Sequence, residues 1–377
     1  MSGCFVLAAG GTGGHVFPAE ALAGELLGHG RKVHLVSDGR ADAIARRIPG
    51  IEVHRVRAGN FSGGPARALQ ALADLALGTV QAGRLLRRLA PAVVIGFGGY
   101  PSVPTMLAAL CLGLPTVIHE QNAVLGRANR RIAPHARRIA AGFPTTAGVR
   151  PADRARCVHT GNPVRPAVLA VGDEGYRSPE PGRPIELLIL GGSQGARVLS
   201  EIVPPALAAL PACLRGALRI SQQVRPEDLA AVAECYRGHG ITADLSSFFD
   251  DVPERLARAH LAICRAGAST VAELAASGRP AVLIPYPHAM EDHQTANARA
   301  FADAGGGWVI PQSQRHLTPD ILARRLQGLL VDPETLTRAA ERARGFSRPD
   351  ATQRLARMAL DLENDAGSRH ESPRGAV

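Results

Sequence analysis

The strongest constraint on the fold is a pattern that occurs twice: an apolar run ends in a glycine-rich turn and reopens as a helix. Leu7-Ala8-Ala9-Gly10-Gly11-Thr12-Gly13-Gly14 is the first copy, and Leu188-Ile189-Leu190-Gly191-Gly192-Ser193-Gln194-Gly195 is the second. A strand that is apolar at every position has no solvent face, so helices must cover it on both sides, as in a parallel sheet. In the first half, residues 4–9, 32–37, 51–57, 93–95 and 115–118 read as strands, 16–28 as a helix, and 66–89 and 102–112 as amphipathic segments. In the second half the alternation runs through 185–190, 196–210, 261–264, 269–277 and 280–284 to a helix from about 294. This order predicts an α/β chain with two Rossmann-like, doubly wound parallel-sheet domains facing an interdomain cleft.

The expected boundaries are 1–163 for the first domain, 164–184 for a Pro- and Gly-rich linker, and 185–348 for the second domain. Residues 349–363 read as a helix returning to the first domain, and the polar stretch 364–377 as a disordered tail. A hydrophobic share of 46% over 377 residues is ample for two cores. The six cysteines are scattered without a C-x-x-C pair, which suits a reducing compartment. The opening Met1-Ser2-Gly3-Cys4-Phe5 has no basic segment and does not read as a signal peptide. The apolar run 106–118 is too short to span a bilayer and contains Pro115. The net charge of +10 favours anionic partners. With 4% aromatics and no basic-aromatic ribbon, nucleic acid is not among them.

The turn from Gly10 to Gly14 lets backbone N–H groups approach an anion. It is neither a Walker A loop nor a clean G-x-G-x-x-G, because Val16 holds the third glycine position. Asp38, at the end of the second strand, keeps a dinucleotide reading open. His15 closes the turn at a helix N-terminus, where the dipole disfavours the imidazolium. It reads as a general base, or as a packing histidine. Gly96-Phe97-Gly98-Gly99-Tyr100-Pro101-Ser102 is a second glycine turn, with Ser102 as a candidate helix cap. His119-Glu120-Gln121-Asn122 follows a buried strand, and suits sugar hydroxyls or the orientation of a neighbouring histidine. Arg265-Ala266-Gly267-Ala268-Ser269-Thr270 makes an anion-friendly helix start, with Glu273 one turn in. The segment from Pro285 through His288 and His293 to Asn297 looks like a closing loop; Pro287 argues against a helical metal face there. No metal site and no cofactor are expected, and no D-x-D pair occurs to hold a Mg²⁺-bound nucleotide diphosphate.

Together, Gly10-Gly11-Thr12-Gly13-Gly14-His15, Gly96-x-Gly98-Gly99-Tyr100 and His119-Glu120-Gln121-Asn122 closely resemble the motifs of the MurG glycosyltransferases. So do Gly161-Asn162-Pro163-Val164-Arg165, Gly191-Gly192-Ser193-Gln194-Gly195-Ala196, the 265–273 segment and His293-Gln294-x-x-Asn297-Ala298. The likeness runs in order from Gly10 to about Leu362. It implies a GT-B architecture and a metal-free, inverting transfer of N-acetylglucosamine from UDP-GlcNAc to lipid I, an undecaprenyl-diphosphate acceptor, in peptidoglycan synthesis. Another GT-B enzyme with a different acceptor is the alternative. Carried over by motif, His15, Glu120 and Tyr100 would be catalytic. Thr12, Gly13, Gly14, Asn122, Arg165, Ser193, Phe249, Ala268, Ser269, Glu273, Gln294 and Asn297 would bind the donor. Gly13, Gly14, Gly98, Gly99 and Tyr100 would meet the acceptor diphosphate. The resemblance also implies a peripheral place on the cytoplasmic face of the inner membrane, beside other cell-wall or division proteins. Segment 66–89, with Leu69, Leu72, Leu75, Leu77 and Val80 ahead of Arg84, Arg87 and Arg88, is either an interfacial helix or one with its apolar face in the core.

Overall fold

A computed structural model describes residues 3–10, 13–38, 48, 50–59, 64–192 and 196–371. They form two compact units, Met1–Pro163 with Asp350–Val377, and Val164–Pro349. The first unit holds a seven-stranded sheet in the order β3-β2-β1-β4-β5-β6-β7. Its strands are β1 (Cys4–Ala8), β2 (Lys32–Ser37), β3 (Glu52–Arg55), β4 (Val93–Gly96), β5 (Thr116–Glu120), β6 (Arg138–Ala141) and β7 (Cys157–His159). All pairings are parallel. The order reverses between β1 and β4, which is the switch point where doubly wound sheets bind ligands.

Both sheet faces are covered because side chains alternate along each strand. Phe5 and Leu7 of β1 enter a core with Leu22 and Leu26 of the helix Gly13–Gly28. Val6 enters the opposite core with Leu86, Met106 and Ile118. Leu355, Ala356, Ala359 and Leu362 of the C-terminal helix Ala351–Glu371 join the first of these cores. Glu363 fastens that helix, accepting from the Gly3 amide at 3.0 Å and pairing with Arg31 at 3.0 Å. The helix runs beyond the expected 349–363 into the stretch read as a tail.

The second unit holds a six-stranded parallel sheet, β10-β9-β8-β11-β12-β13. These strands are β8 (Ile185–Leu190), β9 (Leu218–Gln223), β10 (Thr242–Ser246), β11 (Leu261–Cys264), β12 (Ala281–Leu283) and β13 (Gly307–Val309). Segment 164–184, expected as a linker, is packed structure in this unit. It carries the helix Pro166–Glu174, and the fully buried Arg279 donates to the Gly175 carbonyl beyond its end at 3.1 Å. Tyr176 donates to the His260 carbonyl at 3.0 Å. A Cβ at Gly172 would fall 2.0 Å from the Ala276 carbonyl oxygen, so only glycine permits this helix to sit so close.

Candidate active site

In the first unit, the carboxyl ends of β1, β4 and β5 bring three of the sequence motifs together. The helix that begins at Gly13 carries His15 in its first turn, beside the turn after β4. His15 Nδ1 lies 2.8 Å from the Phe97 carbonyl oxygen. A carbonyl only accepts, so Nδ1 carries the proton, and in the neutral tautomer this contact selects, Nε2 holds the lone pair. Gly98 and Gly99 pack on the imidazole. Both have left-handed φ, +80° and +72°, and a Cβ at Gly99 would lie 3.3 Å from His15 Cδ2. This turn is thus shaped around the histidine.

Gln121 is buried and donates through Nε2 to the same Phe97 carbonyl at 2.8 Å. That nitrogen also lies 3.2 Å from His119 Nδ1, while His119 Nε2 lies 3.4 Å from the Gly161 carbonyl. One proton arrangement fits both contacts: His119 donates from Nε2 and accepts at Nδ1. Complete burial lowers its pKa to about 4, with His15 adding to the shift, so the ring stays neutral. Asn162 donates to the Gln121 carbonyl at 2.8 Å. Gln121 therefore contacts His119 within the same polar run and shares the Phe97 carbonyl with His15. Gln121 and Asn162 fall inside motifs singled out in the sequence, without a site role of their own there; Asn129 falls outside them.

Glu120, expected to be catalytic, is buried at the end of β5 and receives four N–H donors from its own loop. Oε1 accepts from the amide and side chain of Asn122, both at 3.1 Å. Oε2 accepts from the Gly126 amide and from Asn129, both at 2.9 Å. Such donors compensate the buried charge and fix the loop. Tyr100 donates to Asp38 Oδ2 at 3.1 Å, which ties the carboxylate of the dinucleotide reading to this same turn. Ser102 does not cap the helix Val103–Cys111; its hydroxyl donates to the Gly99 carbonyl at 3.0 Å and braces the glycine turn. Gly13 and Gly14 open the first helix. Thr12 and Ser193 lie outside the described residues.

In the second unit, the ends of β8, β11 and β12 gather the donor-side candidates. Gly192 has φ +83°. Gly267, by contrast, has φ −62°, and a Cβ there would meet nothing closer than Thr270 Oγ1 at 3.7 Å. Neither backbone strain nor internal packing demands glycine at this position, which leads into the helix Ala268–Ser277. The first-turn N–H groups of Ala268, Ser269 and Thr270 are those every helix start leaves without intrahelical acceptors.

Arg265, read as part of an anion site, points elsewhere. Its buried guanidinium donates to the Ile284 and Pro285 carbonyls at 3.0 and 3.2 Å. Gln294 Oε1 accepts from the Ala266 amide at 3.3 Å and the Tyr286 amide at 2.9 Å, while the fully buried Asn297 donates to the Ala266 carbonyl at 3.1 Å. These three side chains lock the turn after β11 to the loop after β12. Arg165 pairs with Glu273 at 2.9 Å, so two residues expected on different parts of the donor meet each other. The Phe249 ring is buried under Arg255, 3.7 Å from centroid to guanidinium carbon. His293 Nδ1 donates to the Met290 carbonyl at 2.7 Å.

The glycosyltransferase family 28 N-terminal domain matches residues 5–141, and the family 28 C-terminal domain matches 186–355. A relative from Paramagnetospirillum magneticum is 55% identical, covering 96% of this chain and 98% of the relative. One from Rhodospirillum rubrum is 56% identical over 93% and 89%. Both are named UDP-N-acetylglucosamine--N-acetylmuramyl-(pentapeptide) pyrophosphoryl-undecaprenol N-acetylglucosamine transferase. Among solved structures, Acinetobacter baumannii MurG superposes with a TM-score of 0.77 at 32% identity, covering 95% of this chain and 99% of that one. The kitacinnamycin glycosyltransferase, at 17% identity and a TM-score of 0.70, shares the fold. Two doubly wound domains, two matching family domains and relatives aligned over nearly the whole length agree: the chain has the GT-B architecture and belongs to glycosyltransferase family 28, in its MurG branch.

Proposed function

We propose that this enzyme transfers N-acetylglucosamine from UDP-GlcNAc to the 4-hydroxyl of the N-acetylmuramoyl group of lipid I, forming lipid II with inversion at the anomeric carbon. The observation that carries the mechanism is the Phe97 carbonyl on His15 Nδ1. It leaves Nε2 as the basic nitrogen, which takes the proton as the acceptor oxygen attacks. The bond from the anomeric carbon to UDP breaks through an oxocarbenium-like state, and negative charge grows on the departing diphosphate.

Arg165 and the first-turn N–H groups of Ala268 and Ser269 stabilise that charge on the donor side. The space above Gly267 supports this reading, since a phosphate fills what a side chain would occupy. Glu273, held by Arg165, presents its second oxygen to the ribose. Phe249 offers its backbone to uracil. Thr12, Gly13, Gly14 and Ser193 contribute hydroxyl and backbone groups to the reacting phosphates, and Gly98, Gly99 and Tyr100 receive the acceptor diphosphate. Glu120, Asn122, Gln294 and Asn297 act as positioning residues. No cofactor enters this scheme.

We further propose peripheral attachment to the cytoplasmic face of the inner membrane through the helix Pro65–Leu89. Its inward face carries the small residues Ala71, Gly78 and Ala82 along most of its length, and Leu86 enters the core near its end. A Cβ at Gly78 would fall 2.0 Å from the Arg57 carbonyl oxygen. Leu69, Leu72, Leu77 and Val80 are left 49–71% exposed, with Arg84, Arg87 and Arg88 exposed further along. An apolar stripe followed by arginines suits an anionic bilayer surface. No described helix is long and apolar enough to cross a membrane.

The direct test is UDP release from UDP-GlcNAc with and without a short-chain lipid I analogue. Acceptor-dependent release with formation of the disaccharide is expected. Release that ignores this acceptor, from enzyme that demonstrably binds UDP-GlcNAc, would reject the assignment.

A further inference from the structure

The edge of the first sheet carries a cluster that the transfer reaction does not use. His34 on β2 stands opposite Glu52 on β3, and His54 lies two residues beyond Glu52, opposite Val36. The two-residue period of a strand puts Glu52 and His54 on one face, the face of His34. His34 Nδ1 lies 3.1 Å from His54 Nε2 and 3.3 Å from Glu52 Oε2, and the last two atoms are 3.9 Å apart. The three ligand-type atoms come from three different side chains and converge on one point.

We propose that His34, Glu52 and His54 form a binding site for one divalent transition-metal ion of the zinc class. A triangle with these sides has a point about 2.0 Å from all three corners, which is the length of a zinc bond to imidazole nitrogen or carboxylate oxygen. Two histidines and one carboxylate make a donor set suited to zinc, with a fourth position on the solvent side for water. Glu52 supplies compensating negative charge for a cation held here. The competing occupant is a single proton on His34 Nδ1, shared between the other two atoms. A metal here would clip the edge strand β3 to β2. The cluster lies within these strands, not in the turns that carry His15, so the clip is structural.

The test uses the full-length chain after a chelator wash, with Zn²⁺ titrated by calorimetry and melting followed in parallel. One equivalent is expected to bind and raise the Tm. His54→Gln and Glu52→Gln should each weaken binding by more than the roughly 10–100-fold that loss of an outer-shell partner brings. Both variants should keep acceptor-dependent turnover, since neither residue belongs to the transfer machinery. Co²⁺ on the unmodified protein provides a readout that needs no variant: intense visible bands of four-coordinate geometry are expected. No binding, parent-level binding by both variants, or a pale six-coordinate cobalt spectrum would overturn the proposal and leave a shared proton as the occupant.

Discussion

Replacing Gln121 by Met tests whether the network behind His15 governs its position. The change keeps nearly the same volume and removes one amide. That amide donates to the Phe97 carbonyl and to His119 Nδ1, both in a buried setting. Loss of the carbonyl bond costs about 1 kcal/mol, and a buried imidazole nitrogen left without a donor costs about 1–3 kcal/mol more. The first unit should therefore lose about 2–4 kcal/mol, and for a domain of this size its melting transition should fall by roughly 5–12 °C. Phe97 keeps its bond from His15, so the base survives on a looser support. A misplacement of a few tenths of an ångström predicts a kcat lower by about tenfold, close to 1.4 kcal/mol. The KM for UDP-GlcNAc should hold, because Arg165, Phe249, Ala268, Ser269 and Glu273, the groups proposed for the UDP part of the donor, lie on the other unit. Calorimetry with steady-state kinetics at saturating acceptor reads all three quantities. A variant with the parent's Tm and kcat would refute the argument, as would one whose whole loss appeared in donor KM.

The depressed pKa of His119 makes the first unit acid-sensitive. An unfolded imidazole titrates near 6.5 and the folded one near 4, so the unfolded state binds more protons between these values. The contribution is complete above pH 6.5, falls as the pH drops through this window, and amounts to about 3 kcal/mol when lost. Tm against pH should show this slope in the parent, and it should flatten in His119→Gln; equal slopes would contradict the assignment. Glu273→Gln should weaken UDP binding by about 10-fold with little change in Tm, because a pair this exposed contributes about 0–1 kcal/mol to stability. Unchanged UDP affinity would remove Glu273 from the donor site. Changing Leu69, Leu72, Leu77 and Val80 together to Ser should cut binding to anionic vesicles by two to three decades, from about 3–4 kcal/mol of apolar burial. Sedimentation indifferent to these changes would place the membrane contact elsewhere.

The central strands were legible because they are almost wholly apolar, β1 throughout and β8 apart from Glu186 near its start. β9, Leu-Arg-Ile-Ser-Gln-Gln, was not, since four of its six side chains are polar and its pattern fits a surface segment as well. The role of helix Pro65–Leu89 was undecidable from spacing, because periodicity marks two faces without saying which turns inward. The contact at Gly78 shows which side turns inward there: Ala71, Gly78 and Ala82 face in, Leu69, Leu72 and Leu77 are exposed, and Leu86 returns to the core. In the candidate site, the glycine turns and the polar run after β5 gave themselves away by composition. What holds His15 did not, since the acceptor is a backbone carbonyl, and neither did one of the groups that hold Glu120, since Asn129 sits in an unremarkable Arg-rich helix. The zinc-class cluster was equally hidden, its histidines lying on separate strands.

The measurement that bears most directly on the account is the single-turnover rate of His15→Ala, beside its affinity for UDP. Loss of the general base predicts a transfer rate lower by about 10²–10⁴-fold, with UDP affinity and Tm close to the parent's. Transfer at a near-parent rate would contradict the role given to Nε2, and with it the reading of the Phe97 carbonyl as the group that sets the tautomer.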